Sequence, residues 1–459
     1  MEKDSIMMRP VLTFEDGVLV LRGWDSDDSP PLFRVDHRDN VFRSPAFLYS
    51  AILEEFRKSN LPLIDDARAF SDVGLVFRMD QELFPHQREA LQAWRNRSHR
   101  GSVVLPTGTG KTVVGLHAMS VLAASTLVVC PTLDLMNQWY DRITDAFGIE
   151  TGILGGGFHE IRPVTVTTYD SAFRHMDRYG NRFGLLIFDE IHHLAAPTYL
   201  QIPELSIAPF RLGLTATYRR PDARHAELAR RIGSVVYEKR ISDLKGERLS
   251  EYEIVRIPVR LSEGEREKYE RNQTLYSGYV RENKVRYFAG GWERFIRKSA
   301  GEPEARAALL ARSEMRRIFL RAESKYDILE SLLKRHARDR IIVFTEDNAL
   351  AYDIASRFLM PALTHHTDTK ERKSVLDRFR RGDYRFLVTS KVLNEGVDVP
   401  EANVAVILGG SASPVEHLQR LGRILRKKSG KSATLYEVVA QGTAEGNVSY
   451  RRRASDAYR

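Results

Sequence analysis

Apolar residues fall in two regular stretches separated by a charged one. Between residues 81 and 240 the short runs Ser102–Leu105, Thr126–Cys130, Val164–Thr168, Leu185–Phe188 and Leu212–Thr215 alternate with segments whose apolar positions follow helical spacing. Continuous runs of this length predict strands buried on both faces, and their alternation with helices predicts a parallel α/β sheet. The pattern returns over residues 323–442, with strands predicted at Ile341–Phe344, Phe386–Val388, Val404–Leu408 and Thr434–Val439. Residues 241–263 read as a connector. Residues 264–322 are charged and helical, with Tyr269, Tyr276, Tyr279, Tyr287, Phe288, Trp292 and Phe295 among Arg and Lys, and a break at Gly290-Gly291. Residues 1–80 predict a small α+β unit. There Val11–Phe14 and Val18–Arg22 flank the hairpin signal Glu15-Asp16-Gly17, and Ile52, Leu53 and Phe56 share one face of a helix over Tyr49–Lys58. The polar, basic tail at 443–459 is expected to fray.

Composition bounds the class. An apolar content of 42% over 459 residues supports substantial cores and two to four domains. One cysteine, Cys130, excludes a disulfide framework and a cysteine-built zinc site, and fits a reducing compartment. The first ten residues lack the apolar core of a signal peptide, and no apolar run reaches membrane-spanning length. The expectation is a cytoplasmic protein, or a nuclear one in a eukaryote, with no membrane partner.

Charge is uneven. Residues 1–80 hold 10 Lys and Arg against 15 Asp and Glu, a net of −5; residues 264–325 hold 15 against 9, and residues 415–459 hold 10 against 4, each a net of +6. Two basic zones in a chain of net charge +9 point to polyanion contact.

Candidate chemistry starts at Pro106-Thr107-Gly108-Thr109-Gly110-Lys111-Thr112, a glycine loop between a predicted strand and a predicted helix. Such a loop turns backbone N–H groups toward phosphate, and the helix N-terminus adds partial positive charge. Lys111 suits the β- and γ-phosphates, and the Thr112 hydroxyl suits Mg²⁺. A strict P-loop begins with glycine where this chain has Leu105. Asp189-Glu190 follows an apolar run 78 residues after Lys111. A carboxylate at a strand's C-terminal end faces the crevice where α/β ligands bind. Asp189 there suits Mg²⁺, and Glu190 suits orienting and deprotonating a water. His192 and His193 are adjacent, share no helix face and lack cysteine support, so His192 is read as coupling the nucleotide site to the next motif. Thr215 and Thr217 close a further strand and suit the same coupling. The Gln87 amide suits the N6 and N7 edge of adenine. Within Thr389–Pro400, Gly396 and Asp398 suit a turn toward the nucleotide. Arg423 and Arg426 in Gln419–Arg426 lie three apart on one helix face and suit the charge growing on a transferring phosphoryl group.

In order, Gln87, Pro106–Thr112, Val129–Thr132, Thr167–Tyr169, Asp189–His192, Thr215–Thr217, Ile342–Thr345, Thr389–Pro400 and Gln419–Arg426 resemble the motif set of superfamily 2 helicases, across roughly residues 83–430. Pro106–Thr112 is similar to their first motif, which accounts for Leu105. The resemblance implies two RecA-like parallel-sheet domains with ATP between them and nucleic acid across both. It implies DNA contacts at Thr132, Thr168, Thr345, Thr389, Arg220 and Asp222, and a coupling role for Gln419. Leu186–Leu194, Ile207–Thr217 and Gln419–Arg426 look like XPB helicases of the archaeal type. That implies an N-terminal damage-recognition-like domain at 1–80, a thumb-like insertion at 264–322, and action with ATP and Mg²⁺ on forked, bubble or damaged duplex DNA, in nucleotide excision repair or transcription. Two alternatives remain: translocation on duplex without strand separation, and an ATP-switched scaffold for a partner nuclease. The family's Arg-Glu-Asp reads Arg220-Pro221-Asp222 here, and proline removes a charge and fixes φ. The net −5 of residues 1–80 is also an awkward surface for a phosphate backbone.

Overall fold

A computed structural model describes residues 9–24, 29–78, 82–216, 218, 225–240, 243, 252–283, 285, 291–390, 402–409 and 433–446. The chain forms two compact units, residues 1–240 and 241–459.

The first unit opens with β1 (Val11–Glu15), β2 (Val18–Arg22), β3 (Arg34–Asp36), β4 (Val41–Pro45) and β5 (Ile64–Asp65), ordered β3-β4-β2-β1-β5. Asp16 and Gly17 form the tight turn between β1 and β2, both with φ above zero. Leu12, Leu19 and Leu21 meet Tyr49, Ile52 and Phe56 of the Tyr49–Lys58 helix in a small core. That core also takes in Ile207, which belongs to the following domain. Asn181 fixes the same junction: its side-chain amide donates to the Ala67 carbonyl at 3.0 Å, and its own carbonyl accepts from Ala69 N–H at 3.1 Å. The acidic N-terminal sheet is therefore packed against the parallel-sheet domain.

That domain is built on β6 (Arg100–Val104), β7 (Thr126–Cys130), β8 (Gly152–Gly155), β9 (Phe158–Glu160), β10 (Val164–Thr168), β11 (Leu185–Asp189), β12 (Phe210–Thr215) and β13 (Val235–Glu238). Their order is β13-β6-β12-β11-β7-β10-β8-β9, parallel except for the β8–β9 hairpin. Every residue of β7, β10 and β11 is buried, as continuous apolar runs require. Helices Lys111–Leu122, Leu133–Phe147 and Tyr169–Tyr179 begin where β6, β7 and β10 end. All three helix N-termini thus lie at the carboxyl edge of the sheet.

The second unit is a parallel sheet of β14 (Tyr252–Val259), β15 (Ile341–Phe344), β16 (Ala362–Leu363), β17 (Phe386–Thr389), β18 (Val404–Ile407) and β19 (Ala433–Ala440), ordered β14-β19-β18-β15-β17-β16. β14 lies inside the stretch expected as a connector, and it pairs along its whole length with β19. Helices Glu263–Glu282, Gly291–Ser299 and Pro303–Leu320 occupy the predicted helical region. Tyr279, Phe295, Ala305 and Ala308 form its core, with Tyr276 and Trp292 packed against them. No helix among the described residues is long and apolar enough to cross a membrane.

Candidate active site

In the sheet, β12 lies between β6 and β11. The loop after β6, the acidic pair ending β11 and the hydroxyl ending β12 are therefore neighbours. The glycine loop stands as its sequence predicts. Gly110 caps the Lys111–Leu122 helix at φ +90°, and the Pro106 carbonyl accepts from the Thr109 hydroxyl at 2.7 Å. Lys111 is nearly buried; its Nζ lies 3.4 Å from the Leu105 carbonyl and 3.6 Å from Glu190 Oε1. The Thr107 hydroxyl is buried within the loop without a hydrogen-bond partner among the described residues. An orphaned donor beside a cationic helix end fits an anionic ligand.

Gln87 braces this loop from the Pro85–Arg95 helix. Its Nε2 donates to the Thr109 carbonyl at 2.9 Å, and its Oε1 accepts from Phe84 N–H at 3.0 Å. His86 Nε2 lies 2.9 Å from the same Thr109 carbonyl. In this structure both ends of the Gln87 amide are thus engaged with the protein.

Asp189 and Glu190 are both buried. Asp189 accepts from Trp139 Nε1 at 2.8 Å and from the Glu190 backbone N–H at 3.0 Å. Burial, then the neighbouring Glu190 charge, push its carboxyl above the usual range; the Trp139 hydrogen bond and Lys111 act against them. Glu190 sits at φ +47°, a left-handed conformation that costs a residue with a Cβ roughly 1–3 kcal/mol. It accepts from the Thr215 hydroxyl at 3.1 Å, and His192 Nδ1 lies 3.1 Å from that hydroxyl. Lys111, Glu190, Thr215 and His192 form one continuous polar chain. Thr112 is the second residue of the loop's helix. A carboxylate has room for about four donors or cations, so Asp189 with Thr112 suits a divalent cation bound beside phosphate.

The expected DNA-contacting hydroxyls divide by position. Thr132 and Thr168 cap the Leu133–Phe147 and Tyr169–Tyr179 helices, accepting from Leu135 N–H at 3.3 Å and Ser171 N–H at 3.2 Å. β7 and β10 are paired neighbours, so these two helix ends lie side by side. Thr345 and Thr389 lie at strand ends of the second sheet. Both are fully buried. Thr345 donates to the Asp347 and Thr389 carbonyls, and Thr389 to the Ser390 carbonyl. Their hydroxyls close the end of the second sheet. Thr217, Arg220, Asp222, Gly396, Asp398, Gln419, Arg423 and Arg426 lie outside the described residues.

Trp139 and Tyr169 touch the acidic site; Tyr169 closes the motif Thr167–Tyr169, while Trp139 belongs to none of the sequence motifs. The available signal was a tryptophan within the apolar-periodic segment Leu133–Phe147.

A glycine loop on a helix N-terminus, a buried lysine and a buried acidic pair at a neighbouring strand end define a nucleotide-binding P-loop ATPase site. Residues 80–220 match the model of the type III restriction enzyme res subunit, residues 324–428 that of the helicase conserved C-terminal domain, and residues 12–67 that of the xeroderma pigmentosum group B helicase damage recognition domain. The chain is 41% identical to DNA 3′-5′ translocase XPB2 of Sulfurisphaera tokodaii, over 81% of its own length and 84% of the relative's. It is 31% identical to DNA 3′-5′ helicase XPB of Mycobacterium tuberculosis, over 81% of its length and 63% of that longer protein. The fold matches the Pyrococcus furiosus Hef helicase domain with a TM-score of 0.53 at 19% identity, covering 80% of this chain and 97% of that one. The chain belongs to the XPB family of DNA helicases.

Proposed function

We propose that this protein hydrolyses ATP to move along DNA in the 3′ to 5′ direction and to open duplex DNA for repair. The observation that carries the reading is the polar chain Lys111–Glu190–Thr215–His192 at the mouth of the glycine loop. Lys111 neutralises the β- and γ-phosphates, and the loop's N–H groups and the orphaned Thr107 hydroxyl hold their oxygens. Glu190, fixed by Thr215, orients the attacking water and accepts its proton. Asp189 and Thr112 would hold Mg²⁺, which would supply neutralisation of phosphate charge. Thr215 and His192 sense the state of Glu190 and pass it on through Thr217. Arg423 and Arg426 keep the role that their sequence suggests, stabilising charge on the transferring phosphoryl group.

The paired helix ends at Thr132 and Thr168 are the proposed seat of a DNA strand. They lie on the same sheet edge as the glycine loop, and side-by-side N-termini favour successive phosphates. The polarity rests on the kinship with relatives named 3′-5′ translocase and helicase. The repair role rests on the match of residues 12–67 to a damage recognition domain.

DNA-stimulated ATP turnover tests this reading. Glu190→Gln is expected to bind nucleotide and lose about 10²–10⁴-fold in turnover. Lys111→Ala is expected to lose turnover altogether. Near-normal hydrolysis by either folded variant contradicts the assignment.

A further inference from the structure

Both helices proposed to seat DNA also reach Asp189, each through one aromatic donor. Trp139, on the Leu133–Phe147 helix, donates its indole N–H to Asp189 Oδ2 at 2.8 Å. Tyr169, first residue of the Tyr169–Tyr179 helix, donates its hydroxyl to the Asp189 backbone carbonyl at 3.0 Å. Both aromatics are almost completely buried, at 1% and 2% exposure, so neither bond exchanges freely with water. The packing around them is specific. A Cβ at Gly115 would lie 2.5 Å from Trp139 Cη2, so the helix carrying Lys111 is pared to glycine where the indole crosses it. Tyr169 packs at tilted angles against Phe188, His193 and Tyr199, with ring centroids 6.3, 6.0 and 5.3 Å away. Thr168 ends β10 and Thr132 follows β7 by two residues, and these two strands pair.

We infer that Trp139 and Tyr169 are positioning residues that link the DNA-seating helix ends to Asp189, so that a strand held at Thr132 and Thr168 is felt at the nucleotide. This rests on the function proposed above. Shifting either helix along its axis moves an aromatic donor that is bonded to Asp189, one at its carboxylate and one at its main chain. Two rigid levers acting on one residue restrain it in two directions, and a packed core transmits such displacements because it resists compression. Tyr169→Phe removes one donor and keeps its ring; Trp139→Phe removes the other donor and keeps an aromatic ring while leaving a small cavity against Gly115, and together they cut the link.

The test compares wild type with Trp139→Phe/Tyr169→Phe by equilibrium binding rather than turnover. Fluorescent single-stranded DNA is titrated with and without a non-hydrolysable ATP analogue and Mg²⁺, and labelled nucleotide is titrated alone. Linkage makes the ratio of DNA dissociation constants equal to the effect of DNA on nucleotide affinity. In wild type that ratio is expected to be about 5-fold or more. In the double variant it is expected to fall to within about 2-fold of unity, while DNA affinity without nucleotide stays within about 2-fold of wild type. A ratio unchanged in the folded double variant overturns the inference, and so does a wild-type ratio of one. A wild type that binds neither DNA nor nucleotide instead overturns the underlying function, which separates the two failures. If the double variant melts early, Tyr169→Phe, which removes a single oxygen atom, carries the same comparison.

Discussion

At the residue scale the site depends on close approach. Gly110 combines φ +90° with a Cβ position that would lie 2.2 Å from Gln87 Nε2. Gly110→Ala therefore meets two separate penalties, backbone strain of about 1–3 kcal/mol and a collision with the bracing amide. It is expected to weaken nucleotide binding about tenfold or more, measured by titration of a labelled nucleotide. Adding Gln87→Ala removes the collision but not the strain, so the pair is expected to recover affinity only in part. Full recovery would show that φ at this position is unimportant. Lys111 and the acidic pair were legible in the sequence because the chemistry of phosphate demands them at these spacings. Trp139 was not, and Tyr169 was named only as the end of a motif, since an aromatic in a helix reads as core until its polar atom has a partner.

At the element scale the buried strands were the most legible features. β7, β10 and β15 have the predicted boundaries, because runs of β-branched and apolar residues buried on both faces admit no charged positions to blur them. β13 and β14 were missed for the opposite reason. Val235–Glu238 is only partly buried, and Tyr252–Val259 mixes Glu253, Arg256 and Pro258 into an edge strand whose partner, β19, lies 181 residues later. The hydroxyls show how much a motif leaves open. Thr132 and Thr345 both close strands in the motif order, yet one caps a helix and the other is sealed inside the sheet end. Thr132→Ala is expected to cost about 1 kcal/mol from the lost cap and to weaken DNA binding. Thr345→Ala is expected to lower stability while leaving DNA affinity within about 2-fold, because its hydroxyl faces carbonyls. Denaturant titration and DNA binding on the same samples check both. A DNA defect in Thr345→Ala with unchanged stability would reverse the assignment.

At the scale of the whole molecule, each unit has its own means of holding its later segments in place. In the first, Asn181 and Ile207 bind the N-terminal sheet to the parallel sheet, so the acidic region contributes to the architecture whatever it contacts. In the second, Lys325 is buried with Glu445, its Nζ 2.7 Å from both carboxylate oxygens and 3.2 Å from the Leu408 carbonyl. Glu445 Oε2 also accepts from Ala440 N–H at 2.8 Å. Breaking such a pair leaves an uncompensated buried charge and typically costs about 3–5 kcal/mol. Glu445→Ala is expected to lower the unfolding transition of the second unit by that amount, and Lys325→Met/Glu445→Leu to cost less than the sum of the single changes. Additive effects in denaturant unfolding would show that the two residues act independently.

The central claim is that phosphate chemistry at the glycine loop drives movement on DNA. Duplexes bearing a 3′ or a 5′ tail, assayed for strand separation and ATP hydrolysis in the same samples, test it most directly. Strand separation is expected on the 3′-tailed duplex, with ATP hydrolysed in step and both signals lost in Lys111→Ala. ATP hydrolysis stimulated by DNA with neither strand separation nor displacement of a bound third strand would contradict the claim.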